Sequence, residues 1–321
     1  MHGSHAPARR IIAVKSGGEA AIPDWQACFA ELAPHLEVRW WDDPQVAPED
    51  VDYVIVWQPE PGRLAAYPNL RLILSSAAGT DHITSDPSWP RHLPIVRAVT
   101  PEASQRMAEF IVMSTLALMR DLKRAIIGQH QRVWDNFEVD RCAWDMRVGI
   151  LGLGSMGAAS ARMLRSVGFG VSGWSRNQKA IEGVTCHAGR EGLDAFLKET
   201  DILVCLLPNT PETTGLINAD LLAKLPAGAG LINAGRGTHM VLEDVLSALD
   251  SGQLSGAVLD VFEEEPLPAD NPAWTHPKVI VTPHIGSIAS RRARAAFYAE
   301  QIRRFEAGEP MDALYDPVAG Y

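Results

Sequence analysis

The chain has 321 residues and a net charge of −10, and 46% of its residues are hydrophobic and 21% charged. At roughly 150 residues per domain, this length predicts about two globular domains rather than a disordered chain. The acidic balance argues against binding to nucleic acids or anionic membranes, because both interactions depend on basic surface. No apolar run reaches the ~18 residues of a membrane-spanning helix.

The cysteines have no CxxC pair and no histidine at recurring ligand spacing. A disulfide framework or a structural zinc site is therefore not expected, and reduced, mostly buried thiols in the cytoplasm are predicted. The opening MHGSHAPARR lacks the apolar segment of a secretion signal. Its two histidines are interpreted as part of a flexible tail rather than as a metal site.

Apolar, strand-like runs alternate with helix-like segments from the start of the chain. The first α/β unit is predicted to contain the strands RIIAV, LEVRW, DYVIVW, LRLILSS and IVRA. A single long helix is then predicted over residues 100–134, with Pro101 at its amino terminus. Because the middle of this segment is apolar nearly all round, the helix is expected to be buried between domains or subunits.

A second α/β unit begins at RVGILGLGSMG and continues through GVSGW, DILVCLLP, AGLINAGRG, GAVLDVF and KVIVTPH. Strands separated by helices predict a parallel, doubly wound sheet with right-handed crossovers. An amphipathic closing helix is predicted over residues 287–308. The expected domains are a dinucleotide-binding domain at residues 100–286 and a substrate domain made of residues 1–99 and 287–321.

The GLGSMG segment fits a dinucleotide-binding turn, since it follows an apolar strand. Gly152 permits the tight turn, Gly154 lets the backbone approach a pyrophosphate, and Gly157 lets the helix pack closely on the strand. The amides of Ser155 and Met156 are predicted at the helix amino terminus, where the helix dipole favours an anion. A purely structural glycine turn is the alternative interpretation.

Further polar residues fall where predicted strands end. Arg236 lies in INAGRG, Asp260 and Glu265 in LDVFEEEPLP, and His284 in VTPH. Ligands of open α/β sheets bind beyond the carboxyl ends of the strands, so these side chains can converge on one crevice. Taken one by one, each could equally be a solvated charge or a structural histidine.

These motifs resemble those of the D-isomer-specific 2-hydroxyacid dehydrogenases over nearly the full length, from about Ile11 onward. CLLPNTPETTGLIN, LDVFEEEPLP, VTPH, WSR and VWQP resemble in particular the bacterial A-type glyoxylate/hydroxypyruvate reductase branch. The resemblance implies two doubly wound domains, a Rossmann cofactor domain and a flavodoxin-like substrate domain. It also implies a homodimer.

The resemblance implies catalytic roles that the chemistry supports. Arg236 would bind the carboxylate and carbonyl oxygens of a 2-keto acid, since a guanidinium offers a planar fork. His284 would be the general acid, and Glu265 would hold its imidazolium and favour the protonated form. Asp260 would contact the nicotinamide carboxamide. Other implied cofactor contacts are Leu207, Pro208, Thr213 and Ala234.

In the first domain, the amides of Ala78 and Gly79 in AAGTD would bind the substrate carboxylate. Trp57 would wall a small substrate pocket, with core packing as the alternative role. Trp134 is a candidate to reach the site of a neighbouring subunit.

The stretch GWSRNQK bears on cofactor choice. Eighteen residues after Gly157, where NAD-binding folds usually carry a carboxylate for the ribose 2′-hydroxyl, the chain has Ser175. Arg176 follows, and Lys179 is placed one helical turn further on. A carboxylate would repel the 2′-phosphate of NADP, whereas a hydroxyl and two cations would bind it. NADPH is therefore the expected cofactor, with NAD as a poorer substitute; a solvated Arg176 is the alternative.

The expected activity is NADPH-dependent reduction of glyoxylate or hydroxypyruvate. Three alternatives stay open. The first is an NAD-dependent D-2-hydroxyacid dehydrogenase of other substrate range, for example an enzyme of serine synthesis. The second is a formate dehydrogenase, and the third is a dinucleotide-sensing corepressor. The serine-synthesis enzyme would have a carboxylate at position 175, and the formate dehydrogenase a glutamine at position 265. The corepressor would show partner binding and negligible turnover.

Overall fold

The structure is a computed structural model that describes residues 9–320. The first eight residues, which include the predicted tail histidines, and Tyr321 lie outside the described residues. The chain divides into two compact units. One consists of Met1–Glu102 and Ala289–Tyr321, and the other is Ala103–Ile288.

The first unit is built on a parallel sheet with the strand order β2-β1-β3-β4-β5. Its strands are β1 (Arg10–Val14), β2 (Leu36–Trp40), β3 (Val51–Val56), β4 (Leu72–Ser75) and β5 (Ile95–Val96), and its first helices are α1 (Ile22–Leu32) and α2 (Asp81–Thr84). This order is that of flavodoxin-like folds. Each predicted strand is present, because each apolar run is buried in this sheet.

The single helix predicted over residues 100–134 is wrong. The segment forms α3 (Pro101–Met119) and α4 (Leu122–Gln131), separated by Asp121 in a left-handed conformation with φ 47°. Within this unit Met113 is 54% exposed and Ile126 49%, so burial of the segment between domains or subunits stays a prediction. Only one side of α3 packs on the core, through residues such as Met107, Phe110 and Ile111.

The second unit contains a parallel sheet with the order β12-β11-β10-β9-β6-β7-β8. Its strands are β6 (Arg147–Leu151), β7 (Gly170–Ser175), β8 (Thr185–Ala188), β9 (Ile202–Cys205), β10 (Ala229–Asn233), β11 (Leu254–Leu259) and β12 (Val279–Val281). The connecting helices are α5 (Ser155–Val167), α6 (Gly189–Lys198), α7 (Ala219–Leu222) and α8 (Leu242–Ser251). Read from β8, this is the Rossmann order extended by one strand, so the predicted fold class is confirmed.

The closing helix α9 (Arg291–Ala307) belongs to the first unit. Ser290 caps it by accepting a hydrogen bond from the backbone of Ala293 at 3.2 Å. Its buried face carries Tyr298 and Ile302, and the Tyr298 hydroxyl donates to the carbonyl of Ser75 at 2.6 Å. The helix is thereby fixed to the carboxyl end of β4.

The cysteine prediction needs correction. Cys205 is buried, Cys28 and Cys186 are partly exposed, and Cys142 is exposed, so the thiols are not mostly buried. Cys142 escapes burial because it lies in the connection before β6 rather than in a strand. Across residues 9–320, no helix combines the length and the apolar character needed to cross a membrane.

Candidate active site

The strands of the second sheet run parallel, so their carboxyl ends meet at one edge. The residues that follow these ends include most of the predicted site residues. They are Gly152 after β6, Arg176 after β7, Leu207 after β9, Ala234 and Arg236 after β10, Asp260 after β11 and His284 after β12. The turn after β6 lies where the strand order reverses, which is the usual position of a dinucleotide in this fold.

The glycine turn has the geometry that a dinucleotide needs. Gly152 has φ 102°, and a Cβ there would lie 2.7 Å from the carbonyl oxygen of Leu206. A Cβ on Gly157 would lie 1.9 Å from the carbonyl oxygen of Gly152, so only glycine allows α5 to begin this close. At Gly154 a Cβ would meet no atom within 4 Å, which leaves open space before the first amides of α5. These amides have no acceptor inside the helix, and the cradle therefore fits a pyrophosphate.

The loop after β9 is closed by the hydroxyl of Thr213. This hydroxyl lies 2.8 Å from the carbonyl oxygen of Pro208 and accepts the backbone N–H of Thr210 at 2.9 Å. Leu207 is buried, and Pro208 is partly exposed. Thr213 thus shapes the loop through its side chain, which sequence reasoning did not foresee.

The segment after β7 is a loop, so the placement of Lys179 one helical turn after Arg176 is wrong. No helix forms because the chain passes directly toward the edge strand β8, which the sequence reasoning missed. The Ser175 hydroxyl donates to the carbonyl of Asn177 at 2.7 Å. Arg176 and Lys179 are exposed.

Glu212 carries a negative charge near Arg176. Hydrogen bonds from its own backbone N–H and from Thr210 lower the pKa of the Glu212 carboxyl, and the positive charge of Arg176 lowers it further. The guanidinium of Arg176 therefore lies within electrostatic reach of the loop after β9.

The turn that carries Arg236 is held from several sides. Asn233, which is fully buried, donates to the carbonyl of Arg236 at 3.0 Å and accepts from the backbone of Gly235 at 3.2 Å. The Arg236 backbone N–H donates to Nδ1 of His239 at 3.0 Å. A Cβ on Gly237 would lie 1.8 Å from the carbonyl carbon of Phe262, so the turn is pressed against the chain after β11.

His284 and Glu265 form a hydrogen-bonded pair. Nδ1 of His284 lies 2.7 Å from Oε2 of Glu265, while Oε1 of Glu265 accepts the backbone N–H of Phe262 at 2.9 Å. Both side chains are about one-third exposed, at 35% and 30%. A histidine oriented by a carboxylate in this way can transfer a proton through its other nitrogen.

Within residues 9–320, no group of three or more His, Cys, Asp or Glu side chains could hold a metal ion.

Asp260 anchors the loop that carries His284. Its carboxylate, 2% exposed, accepts from the Thr282 hydroxyl at 2.5 Å, from the Ile285 N–H at 3.0 Å and from the Gly286 N–H at 2.9 Å. His284 itself has φ 54°, a left-handed conformation that these bonds hold in place. Sequence reasoning assigned Asp260 to the cofactor and missed this anchoring, for which Thr282 in VTPH was the available signal.

The predicted site residues of the first unit follow β3 and β4. The ring of Trp57 lies 4.5 Å from that of His82. Ala78 and Gly79 are half-buried in a loop that curls around the buried Ser75 hydroxyl, which lies 2.9 Å from the carbonyl oxygen of Ala77 and 3.0 Å from that of Gly79. The same hydroxyl lies 3.0 Å from Nε2 of His82, so Trp57 and this loop share one neighbour.

A family model for the NAD-binding domain of D-isomer-specific 2-hydroxyacid dehydrogenases matches residues 112–286. The chain is also 36% identical over 302 residues to the glyoxylate/hydroxypyruvate reductase A of Yersinia enterocolitica, covering 92% of this chain and 96% of that protein. The chain belongs to the D-isomer-specific 2-hydroxyacid dehydrogenase family. The resemblance read from the sequence motifs is thereby confirmed.

Two solved structures of this 2-hydroxyacid dehydrogenase family are similar along their whole length. A family member from Xanthobacter autotrophicus Py2, in complex with NADPH and MES, has a TM-score of 0.91 at 40% identity and covers 98% of this chain and 100% of that one. An NADPH-dependent glyoxylate/hydroxypyruvate reductase from Sinorhizobium meliloti, in complex with NADP and sulfate, has a TM-score of 0.88 at 40% identity with the same coverage.

Proposed function

We propose that this 2-hydroxyacid dehydrogenase reduces small 2-keto acids with NADPH, converting glyoxylate to glycolate and hydroxypyruvate to D-glycerate. The observation that carries the proposal is the 2.7 Å pair of His284 and Glu265, which lies at the same sheet edge as Arg236 and the glycine turn of residues 152–157. The names of the Yersinia and Sinorhizobium relatives support the same activity.

NADPH, when bound, supplies the hydride that adds to the carbonyl carbon. Arg236 binds the carboxylate and the carbonyl oxygen of the keto acid through its planar fork, which fixes the carbonyl and polarises it. His284 gives a proton to the carbonyl oxygen as the hydride arrives, so the product is a 2-hydroxy acid. Glu265 contacts Nδ1 of His284 and fixes the ring, so Nε2 is the nitrogen that transfers the proton.

The turn of residues 152–157 binds the pyrophosphate, and Ser175, Arg176 and Lys179 receive the 2′-phosphate. Arg176 supports this assignment, because its charge directly follows Ser175, the position at which a carboxylate would select NAD. The Ser175 hydroxyl has to rotate away from Asn177 to donate to a phosphate, so Arg176 carries the larger share of selectivity. Leu207, Pro208, Thr213, Ala234 and Asp260 complete the cofactor site.

The unit that contains β1–β5 and α9 is the substrate domain in this proposal. The amides of Ala78 and Gly79 bind the substrate carboxylate, and Trp57 limits the size of the pocket. The loop around Ser75 supports this role, because its curl is fixed by one buried hydroxyl. A rigid loop of backbone amides suits a small anion.

The enzyme works as a homodimer in the cytoplasm. Exposed apolar side chains on and after α3 and α4 support the dimer: Met113 is 54% exposed, Ile126 49% and Trp134 96%. Exposed apolar patches mark protein–protein interfaces, and these side chains are the candidates for such a patch. Trp134 then contributes to the site of the partner subunit.

The test follows NADPH oxidation at 340 nm with glyoxylate, hydroxypyruvate, phenylpyruvate and pyruvate. Saturable turnover with the first two, and a higher kcat/KM for NADPH than for NADH, is the expected result. Negligible turnover with every acid would instead indicate the sensing corepressor, and a preference for NADH would indicate an NAD-dependent dehydrogenase. Sedimentation of the same sample should give twice the monomer mass.

A further inference from the structure

His239 is a fully buried histidine directly beneath the turn that carries Arg236. Its side chain is 0% exposed, and it ends the short helical turn Gly237–His239 after β10. The ring packs against Gly235, where an added Cβ would lie 2.8 Å from Nδ1. Because the ring is buried, its hydrogen-bond partners are the guide to its role.

The two ring nitrogens have different partners, and these partners define the tautomer. Nδ1 lies 3.0 Å from the backbone nitrogen of Arg236, which can only donate. Nε2 lies 3.1 Å from the carbonyl oxygen of Pro208, which can only accept. His239 is therefore neutral, with its proton on Nε2. The thiol of Cys205 lies 3.5 Å from Nδ1 and can share the same lone pair.

These two hydrogen bonds join the Arg236 turn to the loop after β9. Other described bonds between the two segments involve backbone groups and neighbours: Gly215 N–H donates to the carbonyl of Thr238 at 2.8 Å, Ile217 N–H donates to the carbonyl of His239 at 2.8 Å, and the Thr238 hydroxyl contacts Asn209 at 3.1 Å. The imidazole connects the backbone of Arg236 itself with Pro208. It is thus a rigid spacer between a substrate ligand and a cofactor loop.

We propose that His239 is a positioning residue that sets the distance between the Arg236 guanidinium and the nicotinamide side of the cofactor loop at Pro208. The inference rests on the proposed function for the identity of the two ligands. Misplacement of a binding group by about 1 Å can reduce turnover by about 100-fold, so such a spacer affects the reaction without touching substrate.

Two substitutions separate the two bonds. In His239→Asn the side-chain oxygen stands near the position of Nδ1 and can still accept from Arg236, but nothing reaches Pro208. In His239→Gln the longer amide can still donate to Pro208, while the N–H of Arg236 loses its acceptor. His239→Phe removes both bonds and keeps a flat ring.

We expect His239→Gln to raise the KM for glyoxylate about 10-fold while the Kd of NADPH, from fluorescence titration, stays within about 2-fold. His239→Asn should do the reverse, with a smaller change in the KM for glyoxylate than in the Kd of NADPH. His239→Phe should affect both ligands. Equal effects on the two ligands in the Asn and Gln variants, or no effect at all, would overturn the proposal.

His276 offers a matched control. Its Nδ1 also accepts a backbone N–H, from Lys278 at 3.2 Å, and its Nε2 contacts Asp250 at 3.3 Å, but it precedes β12 and so lies at the opposite edge of the sheet. His276→Asn and His276→Gln should leave both ligands unchanged. A comparable split in these variants would overturn the proposal, because the effect would then belong to any histidine that accepts a backbone N–H.

A second measurement applies if the His239 variants fail to fold. ¹⁵N chemical shifts of the wild-type protein labelled at histidine should show a neutral ring protonated on Nε2, with and without NADPH. A ring protonated on Nδ1, or charged, would overturn the proposal. Absence of turnover in the wild type would defeat the proposed function alone, because the tautomer and the NADPH affinities still test His239.

Discussion

Nδ1 of His284 lies 2.7 Å from Oε2 of Glu265, and the other carboxylate oxygen is held by the backbone of Phe262 at 2.9 Å. The carboxylate is therefore fixed by its own loop before it orients the histidine. This support predicts that Glu265 assists proton donation by holding the ring of His284 in one orientation.

Glu265→Gln should lower kcat for glyoxylate reduction by about 100-fold, because the amide can turn its NH₂ group toward Nδ1 and then no longer fixes the His284 ring that transfers the proton. Rates with saturating NADPH and varied glyoxylate measure this effect. Glu264→Gln, an exposed neighbour with the same change of charge, is the control. An unchanged kcat in Glu265→Gln would remove Glu265 from the mechanism.

Asp260 is predicted to act on both stability and activity. In Asp260→Asn one of the two acceptor oxygens becomes an NH₂ group that faces hydrogen-bond donors of the loop at residues 282–286. An unsatisfied buried donor costs roughly 1–3 kcal/mol, so the midpoint of urea unfolding should fall. The KM for glyoxylate should rise in the same variant, since the loop that Asp260 anchors carries His284.

Thr282→Val is the graded comparison for this substitution, because it removes only one of the three donors to Asp260. It should lower stability by less than Asp260→Asn. If Asp260→Asn weakens NADPH binding alone and leaves the unfolding midpoint unchanged, Asp260 serves the cofactor rather than the loop.

Much of the second unit could be predicted from sequence because its signals are local. The spacing of Gly152, Gly154 and Gly157 is recognised within one short segment after an apolar strand. The rule that ligands bind at strand ends singled out Arg236 and His284 without a structure. The anchors of these residues could not be found in this way. Asp260 reaches Ile285 across 25 positions, and His239 reaches Pro208 across 31, so their partners depend on which strands pair.

Two errors have physical causes of the same kind. The apolar periodicity of residues 100–134 continues through Asp121, and only the left-handed conformation at that residue divides it into α3 and α4. Strand β8 has no buried residue, so its sequence, TCHA, lacks the apolar signal of an inner strand. Edge strands are stabilised by pairing with a neighbour, which sequence pattern alone does not report.

Cys205 should stay unreactive in the folded protein. Burial raises the pKa of its thiol to about 12, against ~8.5 for a free cysteine. The folded state therefore keeps the proton, and the resulting stability is full below pH ~8.5 and is lost as pH rises toward 12. Iodoacetamide at pH 8 should modify the exposed Cys142 in the native protein and Cys205 only in urea, as read by peptide mass. Equal native labelling of the two would contradict the burial of Cys205.

Arg176 should decide between the two cofactors. Arg176→Ala should raise the KM for NADPH about 10-fold, the lower end for a hydrogen bond to a charged group, because the side chain is exposed and screened. The KM for NADH should barely move, since NADH has no 2′-phosphate.

Lys179→Ala should raise the KM for NADPH by less than Arg176→Ala does, because Lys179 lies in a loop and offers a point charge rather than a fork. Adding Ser175→Asp to Arg176→Ala should reverse the preference, since a carboxylate repels the phosphate and accepts the ribose hydroxyl of NADH. Both KM values, measured for all variants at one ionic strength, test this assignment, and equal losses for NADPH and NADH in Arg176→Ala would refute it.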